Sequence, residues 1–342
     1  MSDAPLSAGA AARRLAAAIV TLLVLDLFVP GWLVRAERAR YEGTDGFRFQ
    51  YSDLFAVGPV VDYLREHPRG DRPRTVFFGN SVVWGYRLRV EQSLPVRFQR
   101  LAPDTRVFNL AVNGFGGGSA WLLLKDVIGS VDTVFMPVDG TAANRGLARL
   151  IPVSADDIAR FDLERPDPVE TRLAGWLGAW RLYRHSYRLQ AALFGTSTRN
   201  FLYTHKAALV GGAISDTPPE GYADDPPGDD DVSVACTVAP PLTHEGEQAL
   251  ATRRPWEWEA GSLMKAHGRR GVFWRLAGAG APPDADWAAL NRAFLGAAVF
   301  AQIDVPADLM IDSRHLSARG SEAVARAFRA LTTGTDQPCG FH

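Results

Sequence analysis

The chain has almost no net charge. Its 342 residues carry 37 Lys and Arg against 38 Asp and Glu, a balance of −1. That excludes an overall basic field of the kind that collects nucleic acid. Cysteine is scarce as well. Cys236 and Cys339 are the only two, and they form no metal-spaced cluster, so neither a metal nor another cofactor is expected. In an oxidising compartment they can pair and tie a loop to the C-terminal tail. In a reducing one they are two idle thiols. No internal repeat is visible. Apolar residues at 47% and charged residues at 22% argue against wholesale disorder and suit a globular domain.

One long apolar run stands out, Leu15 to Val34, preceded by Arg13-Arg14. It has the ~20 residues that a single helix needs to cross a bilayer. A cleaved signal peptide is the alternative, because Val34-Arg35-Ala36 loosely fits a small-x-small site and would leave a mature start near Glu37. Arginines flank both ends, so charge bias does not fix orientation. The short tail before the run favours the bulk of the chain lying outside the cytoplasm, as a single-pass protein of the cell membrane. Asp26 sits inside the run, where a carboxyl is costly. It either snorkels or meets a polar partner on another membrane helix.

Beyond the run, residues 37–72 read as a linker with a helix over Val57–Arg65. Strands and helices then alternate. Strands are expected at Thr75–Phe78, Arg106–Val112, Thr133–Val138, Gly271–Leu276 and Asp308–Ile311. Helices are expected around 91–101, 119–128, 258–267, 287–300 and 318–331. Such alternation implies an α/β domain over 73–335, with a five-stranded parallel sheet covered on both faces in a flavodoxin-like three-layer sandwich. Residues 336–342 form a tail. An insertion at about 141–255 breaks the pattern. Its stretch 171–194 mixes Trp176, Trp180, Tyr183, Arg184, Tyr187 and Arg188, which fits either a helix at a lipid interface or a cap with exposed arginines. Residues 215–231 are acidic and proline-rich, as in a flexible loop.

Two short segments carry chemistry. Val76-Phe77-Phe78-Gly79-Asn80-Ser81 reads as a strand ending in a tight turn that presents a serine. Asp312-Ser313-Arg314-His315 places an acid three residues before a histidine, ahead of a helix that Ser317 can cap. A serine hydroxyl needs a base to take its proton, and the base needs a third group to fix its tautomer. Ser81, His315 and Asp312 supply that set. Gly114-Phe115-Gly116-Gly117-Gly118-Ser119 nearly matches a dinucleotide fingerprint, but it follows the second expected strand rather than the first and holds Ser119 at the third glycine position. A flexible glycine-rich lip beside Ser81 is the simpler account.

These segments resemble the SGNH (GDSL-type) hydrolases. Gly79-Asn80-Ser81 is similar to the nucleophile block, with Asn80 in place of the usual aspartate. Asn109-Leu110-Ala111-Val112-Asn113-Gly114 looks like the second block, and Asp312-Ser313-Arg314-His315 like the last. The third block departs from the pattern: Asp139-Gly140-Thr141-Ala142-Ala143-Asn144 follows the third strand without the usual Gly-x-Asn. The resemblance implies catalysis by Ser81, His315 and Asp312, with an oxyanion hole from Ser81, Gly114 and a displaced Asn144. It also implies an esterase or O-acyltransferase acting on an acylated small molecule or a saccharide, as in cell-envelope polysaccharide modification, beside the membrane and a membrane-bound O-acyltransferase. A non-catalytic binding or scaffold module on the same fold is the other reading.

Overall fold

The computed structural model describes residues 8–42, 54–67, 70–138, 142–165, 167–177, 180–194, 202, 234–238, 247–278, 284–333 and 339–341. The acidic stretch 215–231 and residues 139–141 of the third block lie outside the described residues. Six strands form the body of one sheet: β1 (Arg74–Phe77), β2 (Arg106–Asn109), β3 (Thr133–Pro137), β4 (Ala235–Val238), β5 (Arg270–Gly278) and β6 (Ala298–Val305). A three-residue β7 (Cys339–Phe341) joins at the edge. The order is β2-β1-β3-β5-β6-β4-β7. Five strands, β2, β1, β3, β5 and β6, run parallel; β4 is antiparallel to β6, and β7 is parallel to β4. The sheet is therefore mixed, mostly parallel, and wider than the five strands expected.

Strand residues alternate between two cores because successive side chains point to opposite faces. Val76, Phe78, Val134, Met136 and Phe273 enter one core, under α2 (Leu54–Glu66), α5 (Gly117–Val127), α11 (Pro255–His267) and α12 (Ala285–Ala293). Phe77, Phe135, Val272, Trp274 and Ile303 enter the other, under α4 (Leu94–Leu101) and α13 (Ala318–Thr333). Burial on both faces explains why these strands read as continuous apolar runs. In the second core Phe77 stacks on Phe135 at 4.4 Å, and Phe135 stacks on Phe328 at 4.8 Å.

Three expectations need correction. The last parallel strand is Ala298–Val305, not 308–311. The preceding helix stops at Ala293, and Gly296, at φ +82, turns the chain into a run with Val299, Phe300 and Ile303, which prefer strand. Residues 307–309 are instead a 3-10 turn, and Met310 makes a single bridge to Leu316. The segment read as a linker contributes α2, whose Val57, Val60, Val61 and Leu64 are fully buried. Most of the C-terminal tail's described residues form β7. Cys236 is disulfide-bonded, and its register partner across β4 and β7 is Cys339. The bridge fastens the tail to an inserted strand.

The apolar run lies in α1 (Ala8–Tyr41), an unbroken helix whose most apolar stretch is almost wholly exposed. Its C-terminal end is not a free tether. Leu33, Glu37 and Tyr41 are buried, and Tyr41 meets Tyr63 of α2 edge to face at 5.2 Å. The insertion forms α6 (Ala155–Arg160), α7 (Pro168–Leu177), α8 (Arg181–Arg184), α9 (Ser186–Phe194), β4 and α10 (Glu247–Arg253). Arg188 on α9 is not an exposed arginine: it grips Glu37 with bonds of 2.7 and 2.5 Å, also pairs with Glu66, and is buried. Asp26 accepts the Leu182 backbone N–H at 2.7 Å, so its partner comes from this same chain.

Candidate active site

All five parallel strands end on the edge of the sheet that carries Ser81, where open α/β sheets place their sites. β1 runs into Gly79, whose φ of +154 suits glycine. A Cβ there would lie 2.5 Å from a Val83 methyl. Asn80 then caps α3 (Ser81–Trp84), its side-chain oxygen accepting the Val82 N–H at 3.0 Å. This is the task an aspartate would perform, so asparagine at that position costs the turn nothing geometrically. Gly85 ends the single turn in the left-handed region. Serine is thus presented at the head of one tight helical turn.

The partner loop is held just as firmly. Ile311 N–H bonds to the His315 carbonyl at 2.7 Å, and Ser317 N–H to that of Leu309 at 2.9 Å. The Ser317 hydroxyl caps α13 by accepting the Gly320 N–H at 3.0 Å, as its sequence position suggested. Between these ties, Asp312 Oδ1 accepts the backbone N–H groups of Arg314 (2.8 Å) and His315 (2.9 Å). Its carboxylate also takes the imidazole Nδ1, at 3.0 Å from Oδ1 and 2.8 Å from Oδ2. The far nitrogen, Nε2, lies 2.9 Å from Ser81 Oγ. Ser81, His315 and Asp312 therefore form one continuous hydrogen-bonded chain, closed between segments 234 residues apart. Burial pushes the Asp312 carboxyl up, but the His315 bond and then the two N–H groups outweigh it and hold it below the usual range. With Asp312 ionised, Nδ1 carries the proton and Nε2 faces the serine as an acceptor.

Two contributors escaped the sequence reading. Tyr86 packs its ring on the imidazole at 4.6 Å. Asn109, buried at the end of β2, accepts the Ala111 N–H and reaches the Val83 carbonyl, tying β2 to the serine turn. Tyr86 has no signal beyond its place near the serine block, and Asn109 opens the second block, where only its tie to Val83 was not legible.

The second block lies where expected: Val112 N–H bonds to the Gly79 carbonyl at 3.0 Å, so Gly114 follows directly beside the serine turn. Among the described residues, neither the Ser81 nor the Gly114 N–H is taken up by a hydrogen bond. The side-chain oxygen and the backbone N–H of Asn144 are both engaged locally. Its side chain caps the 3-10 helix Arg145–Arg149 through Gly146 N–H, its own N–H bonds to Ser119 Oγ, and no hydrogen bond joins it to Ser81. Gly114 stands open at the lip beside the serine turn, but past it the glycine-rich stretch is packed. A Cβ on Gly116 would stand 2.3 Å from the Ala142 carbonyl oxygen, and Gly118 N–H bonds to that oxygen. Its glycines let α5 start against the loop after β3.

A cleft of about 800 Å3 opens beside the triad, lined by Asn80, Val138, Trp274, Arg275, Met310 and Arg314 among others. No residue of the described insertion lines it; a lid role for that segment finds no support among the described residues. Nor, among the described residues, do three or more His, Cys, Asp or Glu side chains converge as a metal site. No family model matches the chain, and neither a curated protein nor a solved structure matches it.

Proposed function

We propose that the protein is a membrane-anchored serine enzyme of SGNH type that acts on ester bonds outside the cytoplasm, by hydrolysis or by acyl transfer to a saccharide hydroxyl. The observation that carries this reading is the Ser81–His315–Asp312 chain, with contacts of 2.9 and 2.8 Å. His315 takes the Ser81 proton as Oγ adds to the ester carbonyl. It returns that proton to the leaving alkoxide, and the acyl group stays on Ser81. Water or a sugar hydroxyl then gives its proton to His315 and takes the acyl group, and His315 returns that proton to Ser81 Oγ as it leaves. The Ser81 and Gly114 N–H groups face the developing oxyanion in this scheme. A missing third donor would cost roughly 2.7–4 kcal/mol of transition-state stabilisation relative to a complete hole.

Separate observations support the location. Leu33, Glu37 and Tyr41 on the two sides of the Val34–Ala36 stretch are packed into the protein, which favours a retained helix over a cleaved signal. The Cys236 disulfide favours an oxidising compartment. The acceptor is best sought among envelope or exported polysaccharides, with a membrane-bound O-acyltransferase as the source of the acyl group. The test supplies an activated acetyl ester to purified protein, with and without oligosaccharide acceptors, and measures free acid and acylated sugar. Either product, lost in Ser81→Ala, supports the reading. No turnover at all in either form supports a scaffold module instead.

A further inference from the structure

The insertion helices α7 to α9 expose large apolar side chains that are left uncovered among the described residues. On α7, Val169, Leu173 and Trp176 recur at spacings of four and three, which is one helical face, and the exposed Trp180 follows just beyond its end. Trp176 is 75% exposed and Val169 72%. Tyr183 and Tyr187 continue the exposed aromatic set along α8 and α9.

The docking of these helices fixes their height along α1. Leu182 N–H meets Asp26, Arg188 meets Glu37, and the Arg40 guanidinium meets the Ala191 carbonyl. α8 and α9 therefore run beside α1 in the same direction, the far end of the pair level with Arg40. Asp26 lies eight residues inside the end of the apolar run, about 12 Å along a helix. The Trp180 N–H bonds to the Leu177 carbonyl, which keeps the end of α7 next to α8. A bilayer that takes in α1 up to Val34 takes in the start of α8, level with Asp26, and with it Trp180 and Tyr183. Tyr187, next to Arg188 and so level with Glu37 just past the run, stands at the boundary between headgroups and acyl chains that Trp and Tyr favour. The Asp26–Leu182 bond then pairs two polar groups that would each be costly in lipid.

We infer that α7–α9 are seated in the same lipid leaflet as the end of α1, with the Val169–Trp176 face and Trp180 against acyl chains and headgroups. The protein would hold the membrane by one spanning helix and a second, partly inserted element locked along it. This rests on the reading above that α1 is retained as an anchor.

The experiment places a photoreactive p-benzoylphenylalanine at Leu23, Leu173 or Trp176, one position at a time, in the full chain. The protein is reconstituted in vesicles of phosphatidylcholine and phosphatidylglycerol, irradiated, and its adducts read by mass. Phospholipid adducts at position 23 and at 173 or 176, in comparable yield, are the expected result. Lipid at position 23 with none at both 173 and 176 overturns the inference and leaves the anchor standing. The same holds for cross-links from 173 and 176 to a second copy of the chain. Failure to capture lipid at position 23 removes the anchor itself, and the inference with it.

Discussion

At the scale of single residues, the argument turns on Asp312. It is the one triad member that is nearly half exposed, yet it accepts two backbone N–H groups besides the imidazole. Those bonds hold it ionised and hold His315 in one tautomer. Asp312→Asn keeps the size but puts an amide opposite Nδ1, so the imidazole takes the wrong tautomer. We expect kcat/KM to fall on the order of 10^4, by analogy with the same change in other triads. Steady-state kinetics with an acetyl ester checks this. The sign of the pH effect also follows. A carboxyl whose folded pKa is depressed stabilises the fold fully above its unfolded value, about 3.9, and loses that contribution as pH falls through the lower folded one. Any gap in melting temperature between wild type and Asp312→Asn should therefore close below about pH 4. A gap that stays constant down to pH 2 would mean that the carboxylate charge contributes nothing.

At the scale of elements, close backbone contacts explain what side-chain patterns do not. Gly116 starts α5 where the chain returns at Ala142, with no room for a Cβ. Gly116→Ala should destabilise the protein by roughly 1–3 kcal/mol, as overpacking does, and urea denaturation measures it. An unchanged midpoint would show that the loop after β3 yields freely. Much of this level was legible in the sequence. Each strand of the first half, with its flanking helix, was expected within a few residues, because strands buried on both faces and punctuated by glycine and proline leave a local mark. What failed was non-local. β4 and the edge strand β7 are short, and they pair with each other across about 100 residues, at the disulfide. The run Leu309–Ile311 has strand-like composition, but β6 already fills the place in the sheet. The Ser81 and Asp312–His315 blocks were legible because each sits in a turn with its own capping chemistry. That they meet at 2.9 Å was not.

At the scale of the molecule, the insertion and α1 act as one support. Arg188 and Glu37 form a buried ionic knot between α9 and α1, which the exposed Glu66 of α2 joins from outside. Breaking such a pair from one side leaves a buried charge without its partner, so Arg188→Leu should cost about 3–5 kcal/mol. Thermal unfolding in detergent reads this out, and a loss under 1 kcal/mol would mean that the knot is solvated in solution. The same scale holds the central claim, since the catalytic set exists only if the fold brings Ser81 and His315 together across 234 residues. The most direct measurement is labelling of the full chain by a fluorophosphonate, read by mass on the modified peptide. The account predicts a single adduct on Ser81 in the wild type, none in Ser81→Ala, and labelling at least 100-fold slower in His315→Ala. A wild type that stays unlabelled while folded, or one labelled as fast without His315, would contradict it.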